Sequence, residues 1–149
     1  MELDFDRIVR IKRIRAKKSE LSEEENLLSL PSVTDRRHIS RIKDMFTEII
    51  SEWGTQVYGT TVSNRKKLIF IILYLYSPST LAGGKMPKNL REDINKALGI
   101  HSKSVVSNNF SDVIFLYEHY ADFKNDVQQI YVKIVEKLEN EGLTNQRGE

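Results

Sequence analysis

Apolar positions recur at helical steps through most of the chain. From Asp35 onward, Ile39, Ile42, Phe46, Ile49, Ile50, Trp53 and Val57 fall mostly three or four residues apart, which predicts one amphipathic helix. Thr34 or Asp35 is placed to cap its start, Gly54 to end or weaken it, and the Thr-rich stretch 55–64 reads as loop. The run 68–76, LIFIILYLY, is apolar on every side. Its composition would suit a buried strand, but the chain offers no strand-like partner, so it is expected to be the central core helix. It would open at Ser63 or Asn64 and stop at Ser77-Pro78-Ser79. A shorter amphipathic run leads from Lys88 or Asn89 to Leu98, with Ile94 and Leu98 facing inward. It turns at Gly99-Ile100, and a second run opens at Ser102 with Val105, Val106, Phe110, Val113 and Ile114 on its inner side. That run continues through Phe115, Leu116 and Tyr117, as far as Tyr120 at most. A last helix starts at Asp122 or Asn125, carries the stripe Val127, Ile130, Tyr131, Ile134 and Leu138, and closes at Gly142.

The N-terminal region is patterned differently. Residues 7–18, RIVRIKRIRAKK, hold seven basic residues and no acidic one, with Ile8, Ile11 and Ile14 as a narrow apolar stripe. Such a basic arm suits a nucleic-acid backbone or a protein partner; it lacks the Trp, Phe and Leu of a membrane-surface helix. Ser22 and Glu25 fit a capping box, which predicts a separate short helix over Glu23 to Leu30 before Pro31, and Pro31 to Asp35 reads as linker. The expected organisation is a 1–34 arm and linker, a 35–142 all-α bundle of about five helices, and a disordered 143–149 tail.

Charge sharpens this picture. The net charge of +2 over 149 residues is the sum of +3 for residues 1–20, −3 for 21–62, +6 for 63–111, −4 for 112–141 and zero for the rest. The most positive block therefore covers the approach to the two runs around Gly99. Cys is absent, which excludes disulfides, thiolate metal sites and Cys nucleophiles. The acidic start MELDFD has no apolar run behind it, and the longest apolar run is well short of the roughly 20 residues that span a bilayer, so a cytoplasmic protein without a membrane segment is expected.

Candidate chemistry is sparse. Gly83-Gly84-Lys85 resembles the end of a phosphate-binding loop, but Met86 replaces the required Ser or Thr and Ser79 the leading Gly. His38, His101 and His119 form no metal-ligand spacing, and no carboxylate pair stands out for acid–base work, so neither an enzyme nor a cofactor is expected.

The two runs around Gly99 carry the strongest functional signal. Two short helices across a Gly turn make a helix-turn-helix, whose second helix can enter a DNA major groove. Ile94, Leu98, Gly99, Ile100 and Ser104-Val105-Val106-Ser107 resemble the helix-turn-helix of phage and mobile-element DNA-binding proteins and bacterial regulators, over residues 90–117. Asn95 stands where that pattern usually has a small residue. The resemblance implies double-stranded DNA as partner. By residue type, Arg65, Lys66, Lys67, Lys85, Lys88 and Lys103 are expected on phosphates, and Ser104, Ser107, Asn108 and Ser111 on base edges. A homodimer is expected because specific sites often need a two-fold partner. The role would be transcriptional regulation, or an accessory function in replication or packaging. The alternative is a non-enzymatic virion structural or assembly protein whose basic arm and C-terminal helix contact neighbouring subunits.

Overall fold

A computed structural model describes residues 4–53, 61–100 and 112–145. The chain divides into two compact units, Met1–Leu30 and Pro31–Glu149. Every regular element among the described residues is helical.

The first unit is a single helix, α1, Asp6–Leu28. It joins the basic arm and the short helix expected after Ser22 into one helix. Nothing between Lys18 and Glu23 breaks a helix, so Ser22 sits inside the ladder rather than at a cap. No residue of α1 is buried.

The second unit opens with a strap. Residues 31–35, expected to be linker, are anchored: Val33 is fully buried, and the amides of Ser32 and Val33 both donate to the Leu75 carbonyl, at 2.8 and 3.2 Å. Leu75 lies in the last turn of the central helix, where carbonyls lack intrahelical partners, so the strap satisfies a helix end. Asn145 clasps the strap from the other end of the chain. Its amide donates to the Ser32 carbonyl at 2.9 Å, and its side chain bonds the Pro31 carbonyl and the Thr34 hydroxyl. The expected tail thus starts as ordered structure at residues 143–145.

Asp35 caps a short 3-10 turn, Arg36–His38, by accepting from the Arg37 amide at 2.9 Å. The turn leads into α2, Ile39–Glu52, which buries Ile39, Ile42, Met45, Phe46 and Ile49. Of the remaining predicted stripe, Ile50 and Trp53 are half-buried and Val57 lies outside the described residues. The central helix α3, Thr61–Tyr76, buries every residue from Lys67 to Tyr76 except Tyr74. A helix apolar all round needs neighbours all round, and α2, a one-turn helix α4 (Pro78–Leu81) and α7 (Ala121–Asn140) pack against it.

Next, α5 (Leu90–Leu98) buries Leu90, Ile94 and Asn95 and packs on α2. It ends at Gly99, whose φ of 69° is the left-handed corner expected there, and the Ile100 amide reaches back to the Asn95 carbonyl at 2.8 Å. Residues 112–119 form α6, with Val113 fully buried. Tyr120 is extended, and α7, Ala121–Asn140, follows at once. Its buried face is Phe123, Val127, Ile130, Ile134 and Leu138, and Gly142 closes it as predicted, with the Leu143 amide on the Leu138 carbonyl at 2.9 Å. The all-α expectation therefore holds. Of the expected helix-turn-helix, the described residues include α5 and the Gly99 corner; residues 101–111, where the rest of the turn and the start of the second run are expected, lie outside the described residues.

Candidate functional site

The predicted phosphate contacts separate into two groups. α3 starts at Thr61 rather than at Ser63 or Asn64, so Arg65, Lys66 and Lys67 lie beyond its first turn and the helix dipole weighs little on them. Two of them meet the chain's own carboxylates. Lys67 is 4% exposed and its ammonium lies 2.8 Å from Asp126 of α7, while Lys66 lies 3.4 Å from Asp112 of α6. The negative partner expected from sequence is thus internal, and Lys67 is withdrawn from the surface. Arg65 is half-buried on the same turns.

Lys85 and Lys88 are exposed on the 82–89 loop that enters α5. Gly84 lets this loop fold back on Ser79: its amide donates to the Ser79 carbonyl at 2.7 Å, and a Cβ on Gly84 would sit 2.7 Å from that oxygen. The loop's other end is held by Arg36. One guanidinium nitrogen donates to the Lys88 carbonyl at 2.9 Å and to the Asp93 carboxylate at 3.1 Å. Arg36 therefore positions the start of α5, and no local pattern signals it, because the contact joins positions far apart in the chain.

Around this contact lies a cleft of about 230 Å³ lined by Arg36, Arg37, Ser40, Asp93 and Lys96, with Ile39 and Ala97. Three cations line it, but Asp93 answers Arg36 and Asp35, just outside, answers Arg37, so its excess of positive charge is small. The Asp35 carboxylate next to it accepts from the Arg37 guanidinium at 2.6 Å, and that bond holds its pKa well below the usual carboxylate range. Behind it, the Tyr76 hydroxyl donates to the Asp35 carbonyl at 2.6 Å, and burial, with the Asp35 charge nearby, pushes the phenol upward.

Lys103, Ser104, Ser107, Asn108 and Ser111, the base-reading candidates with their adjacent Lys, lie outside the described residues. Asn95, the departure from the family pattern, is 9% exposed, and its side-chain oxygen is buried with no hydrogen-bond partner among the described residues.

A second concavity, about 530 Å³, lies between α3, α4, α6 and α7 and is largely apolar. Phe70 and Tyr117 stack in its wall with centroids 4.9 Å apart, and Tyr74 and Tyr131 meet edge to face. Among the described residues no three His, Cys, Asp or Glu groups converge to hold a metal, and no helix is long and apolar enough to cross a membrane. His119 instead packs on Phe115, and His38 lies 3.6 Å from Asp35.

No family model, curated protein or solved structure matches this chain.

Proposed function

We propose that this is a DNA-binding helix-turn-helix protein, serving as a regulator or as a replication or packaging accessory of a phage or mobile element. The observation that carries the reading is α5 with its corner. An amphipathic helix is seated on the core by Leu90 and Ile94, pinned by Arg36, and ended by a left-handed glycine that redirects the chain. Lys85, Lys88 and Lys96 are exposed beside it, and the sequence that follows supplies Lys103, Ser104, Ser107, Asn108 and Ser111. These are donor and acceptor side chains of lengths that suit phosphates and base edges. Arg65 can add a phosphate contact, whereas Lys66 and Lys67 serve first to hold α6 and α7 to α3.

The competing reading, a virion structural or assembly protein, draws on one observation, the apolar side chains that α1 leaves unburied. A salt titration of duplex binding separates the two. Under the DNA reading, affinity falls steeply with salt. Lys103→Glu with Ser107→Glu abolishes binding while helicity and melting stay unchanged, and Lys85→Glu with Lys88→Glu lowers the salt slope by about 2. A wild-type protein with no salt-dependent duplex binding sinks the DNA reading and favours assembly.

A further inference from the structure

α1 is a 23-residue helix with Ile8, Ile11, Ile14, Leu21 and Leu28 between 46% and 74% exposed. Apart from Asp6 in the first turn, its charges are arranged against its own dipole. All seven of its Lys and Arg residues lie in Arg7–Lys18, near the positive N-terminal end, and Glu20, Glu23, Glu24 and Glu25 lie towards the negative C-terminal end. Its N-cap, Phe5, makes no side-chain capping bond, and its last turn has no basic residue. Taken alone, each of these features weakens the helix.

A second copy running the other way offsets the charge–dipole penalties. Arg7, Arg10 and Lys12 then lie along Glu20, Glu23, Glu24 and Glu25 twice over, and the two dipoles oppose. A parallel partner would instead stack basic on basic and acidic on acidic. We propose that α1 is a self-pairing element, through which two copies of this chain associate as an antiparallel helix pair.

The spacing sets a register. Ile11, Ile14, Lys18, Leu21, Glu25 and Leu28 alternate three and four residues apart, a heptad seam with two polar interruptions. In an antiparallel pair centred on Ala16, Ile11 faces Leu21 of the second copy and Ile14 lies beside Lys18, whose stem covers the isoleucine while its ammonium reaches water. Arg7 faces Glu25, so the seam's one acidic interruption meets a guanidinium. The same register brings Lys12 level with Glu20. Polar residues within a seam lower its strength but fix orientation and register.

The inference is independent of the DNA reading and is tested without nucleic acid, on the full chain, by sedimentation over a range of concentrations. The wild type should dimerise reversibly. Arg7→Glu, Arg10→Glu, Lys12→Glu and Arg13→Glu together make α1 acidic, and Glu20→Lys, Glu23→Lys, Glu24→Lys and Glu25→Lys together make it basic. Each set keeps good helix formers, which circular dichroism checks, and each should weaken self-association by at least about tenfold. An equimolar mixture of the two should form a heterodimer, a rescue that simple misfolding does not give. Since the chain has no Cys, Ile11→Cys with Leu21→Cys should give a disulfide-linked dimer, while each single substitution should not. A monomeric wild type at every concentration overturns the proposal. So does dimerisation unaffected by both charge sets, association that requires added DNA or another protein, or cross-linking by a single Cys.

Discussion

α1 and α7 are the two longest helices among the described residues, and they use their apolar side chains in opposite ways. In α7, Phe123, Val127, Ile130, Ile134 and Leu138 follow the 3.6-residue period without a polar interruption, and all five are buried. In α1 the apolar residues follow a seven-residue spacing interrupted by Lys18 and Glu25, and none is buried. Charge separates the helices further: α7 mixes its signs along its length, while α1 puts each sign in its own half. An unbroken stripe is enough to seat a helix on a core, whereas an interrupted stripe with block charge needs a partner whose charges answer it.

The sharpest way to break this contrast is to delete the same chemistry from both helices. Ile130→Ala opens a cavity at a fully buried position and should cost the second unit about 2–5 kcal/mol in a denaturant titration. Ile14→Ala in α1 should leave that unfolding transition unchanged and weaken only self-association. Equal losses from the two substitutions would mean that α1 belongs to the core after all.

A smaller effect is expected from Lys67, which joins α3 to α7 through Asp126. Lys67→Met keeps the volume of the stem but leaves the Asp126 carboxylate, itself 28% exposed, without its ammonium. The loss should be about 1–3 kcal/mol by thermal melting, moderated because Asp126 reaches some water. Lys67→Met combined with Asp126→Leu should recover part of it, because removing both partners leaves no stranded charge. If the single substitution costs nothing, the contact between these helices rests on apolar packing alone.

What the sequence reveals follows the same divide. Helices that bury one continuous face, α2, α5 and α7, are legible from period alone, α3 only from the lack of a strand-like partner, and the glycine ends at Gly99 and Gly142 from composition. The strap is not. Pro31 to Asp35 has the composition of a linker, and its order comes from the Leu75 carbonyl and from Asn145, partners more than 40 positions away that no local pattern reveals. The candidate site splits likewise. The positive balance of 63–111 is plain in the sequence, but that Lys67 turns inward, and that Arg36 holds the entry to α5, depends on which carboxylates the fold brings near. At α1 a local signal misleads. The Ser22 box suggests a helix start, yet a start needs a preceding break, and residues 19–21 supply none.

The mildest test concerns the end of α7, where Glu141 receives two bonds from the Arg41 guanidinium of α2, at 3.0 and 2.7 Å. Those bonds lower the Glu141 pKa, and those from Arg37 lower that of Asp35. A carboxylate that ionises more readily in the folded state stabilises the fold above its unfolded pKa. The benefit is lost as pH falls from about 4 through the depressed folded values. Melting temperature should therefore drop on acidification across that window, and Glu141→Gln should flatten the drop slightly while lowering the melting temperature a little near neutrality. Both groups lie near the surface, so the change should be small and should shrink in high salt. Because Arg41 and Glu141 belong to the second unit, the same substitution should leave self-association through α1 untouched, whereas the charge reversals in α1 should alter association and leave this acid limb where it was. A Glu141→Gln variant that dissociates the dimer would place α7 at the interface between copies and end the contrast between the two helices.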